Sequence, residues 1–82
     1  MKIYDYKGRK NISGNRIREA RLKKRLSQAD FAAKLQTAGI TMERDSVSRI
    51  EIGTRFVADY ELMIIAEILD VTVDWLLSED CE

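Results

Sequence analysis

Residues 26–53 decide the fold, and they read LSQADFAAKLQTAGITMERDSVSRIEIG. Within them Ser27 is followed three positions later by Asp30, a spacing that resembles a capping box with Asp in place of the usual Glu or Gln. This pair predicts the start of a helix whose inward face includes Phe31. Gly39 is expected to end that helix at the C′ position, where a left-handed backbone favours glycine.

A second, shorter helix follows in the same stretch. The pattern predicts it over about residues 44–52, with Val47 and Ile50 facing inward. Gly53 is expected to be its stop. A small residue on the preceding helix, Ala32, would let the two helices cross closely at a steep angle. The second helix is therefore predicted to protrude from the surface.

Three further helices are predicted on either side of this pair. Ser13 is expected to cap a first helix that runs to about Lys24. Asp59 starts a fourth helix, and Thr72 caps a last, short one. The fourth helix has apolar residues at i, i+3, i+4 and i+7, namely Leu62, Ile65, Ala66 and Leu69. Because the chain has no proline and no strand alternation, we expect an all-α fold of five short helices.

Length and composition exclude several classes of protein. The 82 residues suffice for one domain, which we place at 13–78 between an arm at 1–12 and a tail at 79–82. No apolar run approaches the ~18 residues of a membrane span, so a cytoplasmic location is expected. There is no histidine, and the only cysteine is Cys81, so we expect no metal site, disulfide or cofactor. The absence of a nucleophile-elbow or phosphate-loop pattern argues against an enzyme.

The charges are segregated along the chain although they sum to zero. Residues 1–28 hold ten Lys or Arg against two acids, a net charge of +8, whereas residues 57–82 hold eight acids and no base, a net charge of −8. Basic residues at helix C-termini and acidic residues at helix N-termini interact favourably with the helix dipole, but they account for only part of this asymmetry. A basic pole is what a domain needs if that pole must face phosphates.

Four blocks of the sequence, taken in order, resemble the Xre/Cro-type family of phage-repressor-like regulators over roughly residues 12–78. The blocks are RIREAR (16–21), LSQADFA (26–32), VSRIEIGTR (47–55) and IAEILDVTVDWLL (65–77). The resemblance implies a phage-repressor-like DNA-binding bundle that contains a helix-turn-helix.

The resemblance also implies roles for individual residues. Arg21 and Glu51 match the arginine and glutamate that join the first helix to the end of the third; the alternative is that both are solvated charges. Ser27 and Gln28 match a pair that receives a DNA phosphate, which is reasonable because free N–H groups and the helix dipole gather at that end. For Ser27 the alternative is a cap without DNA contact. Arg16, which opens the first block, is included among the expected DNA-binding residues.

The outward face of the third helix carries the residues expected to read bases, namely Arg44, Asp45, Ser48 and Arg49. Arginine can pair with guanine O6 and N7, and aspartate can accept from the cytosine amino group. Asp45 has an alternative role as the helix cap, because Glu43 would be a poor cap there. Thr54 and Arg55, just past the helix, resemble the family's loop that clamps the DNA backbone.

The chain departs from the family pattern in three places. The stretch 36–41 makes the link from Gln28 to Glu51 longer than in the shortest members, so the second helix or the turn must lengthen. Arg25 stands where many members have glycine, and a left-handed backbone there would cost ~1 kcal/mol or more. Nothing corresponds to the larger regulatory domains, so the chain is either a complete short regulator or a fragment.

The expected function is that of a sequence-specific, double-stranded DNA-binding transcriptional regulator, expected to be a repressor, that reads the major groove with the third helix. We expect a homodimer on an inverted-repeat operator, with a dimer contact near helices four and five that includes Trp75 or Leu77. The alternative is a protein-interaction module that keeps the fold, gives up DNA and docks through the same acidic helices. An antitoxin-like role beside a toxin partner, with the same fold, is also open.

Overall fold

Five α-helices account for the secondary structure of residues 6–78, which are the residues that the structure, a computed structural model, describes. The helices are α1 (Gly14–Lys23), α2 (Gln28–Thr37), α3 (Arg44–Ile52), α4 (Asp59–Leu69) and α5 (Val73–Leu77). Across these residues there is no strand beyond an isolated bridge between Tyr6 and Arg9. The expected all-α, five-helix fold is confirmed. The expected tail at 79–82, with Cys81, lies outside the described residues.

The core forms where the apolar faces of the helices meet. α1 packs against α3, α4 and α5, while α2 packs against α3 and α4. Burying one large apolar side chain contributes on the order of 1.5–3 kcal/mol. The largest fully buried side chains are Phe31, Ile17, Leu35, Met42, Ile50, Ile65, Leu69, Leu76 and Val47. No helix in the described part of the chain is both long and apolar enough to cross a membrane.

Side-chain caps begin α2 and α5 as the sequence predicted. The Ser27 hydroxyl accepts a hydrogen bond from the Asp30 N–H at 2.9 Å, and the Asp30 carboxylate accepts one from the Ser27 N–H at 3.3 Å. This reciprocal pair is a capping box, and it satisfies two backbone donors that the helix leaves open. The Thr72 hydroxyl accepts from the Trp75 N–H at 3.0 Å in the same way.

The end of α2 is a Schellman motif. Gly39 has φ +94°, its N–H donates to Gln36 O at 3.0 Å, and the Ile40 N–H donates to Leu35 O at 2.9 Å. The predicted role of Gly39 as the C′ residue is confirmed. α2 therefore ends at Thr37 and includes the first two residues of the stretch 36–41, and the other four lie in the connection to α3.

That connection, residues 38–43, contributes to the core. Ile40 and Met42 are both buried, and the Gln36 side-chain amide donates to Met42 O at 2.9 Å. The sequence did not predict this, because two apolar residues in a short loop have no helical or strand period. The connection thereby fixes where α3 begins.

The two ends of α3 are capped differently. Glu43 occupies the N-cap position with extended backbone and makes no side-chain cap, so Asp45 lies inside the first turn. The alternative expectation that Asp45 caps α3 is wrong. At the other end Gly53 has φ +100°, and its N–H donates to Arg49 O at 2.9 Å. The predicted stop at Gly53 is confirmed.

The start of α1 differs from expectation in its chemistry. Ser13 occupies the N-cap position but makes no side-chain cap. The Asn11 side-chain oxygen accepts from the Gly14 N–H at 2.8 Å instead. The expectation that the Ser13 side chain caps α1 is therefore wrong, because a residue two positions earlier supplies the acceptor.

Candidate nucleic-acid interface

The inner face of α3 carries a buried ion pair that ties this helix to α1. Arg21 Nε donates to Glu51 Oε2 at 2.6 Å and Arg21 Nη2 donates to Glu51 Oε1 at 3.1 Å. Both residues are only 6% exposed. Arg21 Nη1 also donates to Leu26 O at 2.7 Å. The alternative that these two residues are solvated charges is therefore wrong. Burial removes water from both charged groups, and the short hydrogen bonds between them offset that cost.

A third bond extends this network to α2. Gln28 Nε2 donates to Glu51 Oε1 at 3.1 Å, and Gln28 is half-buried. The first turn of α2 therefore lies beside the C-terminal half of α3. Ser27, which caps that turn, is exposed. The structure thus brings together two of the residues expected at a DNA phosphate and the end of the expected reading helix.

The chain before α1 holds the C-terminal end of α3, and sequence reasoning missed these contacts. Asn11 Nδ2 donates to Ile50 O at 3.1 Å and to Arg55 O at 2.7 Å, while Arg9 Nη2 donates to Glu51 O at 3.3 Å. Ile50 and Glu51 lie in the last turn of α3 and Arg55 lies in the loop that follows, so these bonds tie the chain before α1 to the end of α3. Residues 9–11, expected to belong to an arm, are part of the packed domain. No motif marks them, since each partner lies about forty positions away.

The outward face of α3 contrasts with its inner face. Val47 and Ile50 are buried, so the residues between them turn away from the core. The Arg44 and Asp45 side chains are 66% and 76% exposed, and an ion pair at 3.9 Å between them stabilises little. Arg49 is exposed and Ser48 is half-buried. The four residues expected to read bases therefore occupy one surface of one helix.

The loop after α3 is braced internally. Arg55 Nη1 and Nη2 donate to the two carboxylate oxygens of Glu61 at 3.1 and 3.2 Å, and Nη1 also donates to Phe56 O at 2.8 Å. Burial acts to raise the pKa of the Glu61 carboxyl, but hydrogen bonds from Arg55 and from the Ala58 N–H, with the charge of Arg55, hold it below 4.5. The Arg55 guanidinium is thus engaged within the chain, while Thr54 is exposed beside it.

Arg16 is placed away from the other expected DNA-binding residues. Its guanidinium carbon lies 4.7 Å from the centre of the Trp75 ring, and its Nη1 lies 3.5 Å from Glu19 Oε1. Gly14 and Arg21 face α3, and residues on a helix are about 100° apart, so Arg16 lies on the side of α1 that faces α5. Arg16 thus takes part in the packing between α1 and α5, and its expected DNA contact stays a prediction.

A comparison with family models decides the classification. The helix-turn-helix family model matches residues 17–76, which is most of the chain. The chain belongs to this helix-turn-helix family. The helix-turn-helix is a DNA-binding motif whose second helix enters the major groove, so membership makes the chain a DNA-binding regulator. In this member α2 and α3 are the two helices of the motif.

Solved structures of helix-turn-helix proteins are similar to this chain. The restriction-modification controller protein C.AhdI from Aeromonas hydrophila is 33% identical, with a TM-score of 0.66 over 78% of this chain and 86% of that chain. SinR, a master regulator for biofilm formation solved in complex with DNA, is 30% identical, with a TM-score of 0.68 over 80% of this chain and 98% of that chain. The P22 c2 repressor, at 24% identity and a TM-score of 0.70 over 85% of this chain and 98% of that chain, supports the fold alone. No curated protein matches the chain.

Proposed function

We propose that this protein is a sequence-specific transcriptional repressor that lays α3 in the major groove of duplex DNA. The observation that carries the proposal is the contrast between the two faces of α3: one is locked by Glu51, and the other presents Asp45 and Arg49 to solvent. A reading helix must be held rigidly while its polar side chains stay free to meet base edges.

The outward residues of α3 have the chemistry that base reading requires. We assign Arg49 to a guanine, because its fork of N–H donors matches the O6 and N7 acceptors, and Asp45 to a cytosine amino group. Ser48 can bond either a donor or an acceptor. Arg44, at the first position of the helix, adds a second guanidinium that can contact a base or a neighbouring phosphate.

Two elements beside α3 are proposed to contact the phosphates of the DNA backbone. The first turn of α2, with Ser27 and Gln28, offers backbone N–H groups and the positive end of the helix dipole to a phosphate. The loop at Thr54 offers a second contact. Because Glu61 pairs with Arg55, we assign Arg55 to hold this loop in place rather than to supply an unpaired charge.

We also propose that the protein acts as a homodimer on an inverted repeat. One helix of nine residues reads only a few base pairs, so a two-fold pair with reading helices about 34 Å apart would raise both affinity and specificity. Tyr60 and Met63 on α4 and Leu77 on α5 are exposed apolar residues on the side expected to form the contact. Trp75 is half-buried under Arg16 and is less available. Sedimentation of the protein with its preferred duplex should give two protomers per site; one protomer per site would contradict this.

A protein-interaction module, or an antitoxin-like partner, remains the second candidate function. The same exposed residues of α4 and α5 favour it, because they could dock on another protein. The interaction module, which has given up DNA, predicts no preferred DNA sequence.

Selection from a random pool of duplexes tests the proposed function. We expect one preferred sequence with inverted symmetry, bound roughly a thousandfold or more tightly than the unselected pool at the same salt concentration. The Asp45→Ala, Arg49→Ala double variant is the matched control, because both side chains are exposed and their loss should leave folding intact. Failure to enrich any sequence, with the protein folded, would reject the proposal in favour of the second candidate.

A further inference from the structure

Ile52 is an apolar side chain in an unexpected place. It is 63% exposed, although it belongs to α3, whose other large apolar residues, Val47 and Ile50, are fully buried. Single exposed apolar residues are common on protein surfaces, so exposure alone says little. The position of Ile52 among the outward side chains of α3 is more informative than its exposure.

Ile52 completes the outward row of α3. Positions 45, 48, 49 and 52 follow the i, i+3, i+4, i+7 spacing that places residues on one face of a helix. The first three members are Asp45, Ser48 and Arg49, and all are assigned above to base edges. An isoleucine at the fourth position adds an apolar surface, which the three polar members lack.

We infer that Ile52 packs against the C5-methyl group of a thymine in the major groove, and so adds a thymine preference to each half-site. This inference rests on the proposed function, because it uses the same face of α3. The thymine methyl is the only apolar group that base pairs present in that groove. Isoleucine suits the contact, because its branched side chain has few rotamers and little freedom to lose on binding.

The position of that thymine follows from helix geometry. Ile52 lies about 4.5 Å along the axis from Arg49 and about 10 Å from Asp45, at ~1.5 Å per residue. Base pairs are ~3.4 Å apart along each strand. The thymine is therefore expected within about two base pairs of the pair that Arg49 reads, and on the side away from the pair that Asp45 reads.

Replacing thymine by deoxyuridine tests this contact, because it removes one methyl group and no hydrogen-bonding atom. The probe is the duplex selected above, with each thymine replaced in turn. The wild type should lose about three- to fivefold in affinity at one thymine per half-site, the effect of one buried methyl group. The Ile52→Ala variant should bind the unmodified duplex less tightly by a similar factor and should lose nothing further on the modified one. Leu22→Ala, which also shortens an exposed apolar side chain and lies on α1 outside the proposed dimer and DNA contacts, should keep the full methyl effect.

The possible failures are distinguishable. If Ile52→Ala binds the unmodified duplex as the wild type does, or if it keeps the methyl effect, the inference is overturned. A wild type that binds a preferred duplex but is indifferent to every thymine methyl overturns the inference and leaves the proposed function standing. If no duplex is preferred, the proposed function and the inference fall together.

Discussion

The two faces of α3 differ in almost every physical respect. On the inner face Glu51 accepts three hydrogen bonds from Arg21 and Gln28 and is 6% exposed. On the outer face Asp45 and Arg49 point to solvent, and the one ion pair there is long and exposed. The difference teaches that positioning and recognition are assigned to separate residues of one nine-residue helix. Substitutions on the inner face should change stability, and those on the outer face should change DNA binding.

The largest expected effect on stability comes from the inner face. Glu51→Ala removes the partner of a buried guanidinium and should lower the free energy of unfolding by ~3–5 kcal/mol. Glu67→Ala is the control, because Glu67 is an exposed glutamate on α4 and its loss should cost no more than about 0.5 kcal/mol. Urea unfolding at neutral pH measures both variants. Equal, small losses would show that the pair does not hold α3.

A smaller loss of stability is expected from a substitution in the chain before α1, which supports the end of α3. Asn11→Ala leaves the Arg55 carbonyl and the Gly14 N–H without their partner, removes one of two donors to Ile50 O, and should cost ~1–3 kcal/mol. Asn15, an exposed asparagine in α1, provides the matched control in Asn15→Ala. Chemical denaturation of the two variants measures the difference. If Asn11→Ala is no less stable than Asn15→Ala, residues 9–11 do not brace the reading helix.

A substitution in the loop between α1 and α2, away from both faces of α3, is expected to raise stability. Arg25 has φ +59°, in the left-handed region that the comparison with the family suggested. Arg25→Gly should therefore raise the free energy of unfolding by about 1 kcal/mol, because glycine adopts this backbone without strain. Lys24 has φ −87°, so Lys24→Gly should lower stability and serves as the control. The thermal midpoints of the two variants should move in opposite directions, and a fall in both would contradict this.

The smallest stability effect is expected in the loop after α3, where it decides whether Glu61 holds Arg55. Because the pKa of Glu61 is held below 4.5, the stability that the Arg55–Glu61 pair gives is complete above that value and is lost as the pH falls through the lowered pKa. Glu61→Gln should therefore lose less stability between pH 7 and about pH 3 than the wild type does. Glu67→Gln should behave like the wild type. If Glu61→Gln and the wild type follow the same pH dependence, Arg55 does not depend on Glu61 and is available to a phosphate.

The sequence predicted those parts of the fold that local rules specify. The capping box at Ser27 and the glycine stops at 39 and 53 depend on neighbouring residues, so they could be read from short windows. The buried ion pair came from a family resemblance and not from spacing. Asn11 and Arg16 could not be placed from sequence, because their partners lie on other helices and follow no period. Local signals thus located α3, whereas the contacts that fix its ends required the structure.

The most direct test of the whole account measures one variant in two ways. Arg49→Ala should unfold within about 0.5 kcal/mol of the wild type, because the side chain is exposed. On the preferred duplex it should lose ~1–3 kcal/mol of binding free energy, relax discrimination at one base pair and leave binding to unselected DNA nearly unchanged. An equal loss of affinity for every sequence, or a loss of stability as large as that of Glu51→Ala, would contradict the assignment of reading to the outer face of α3.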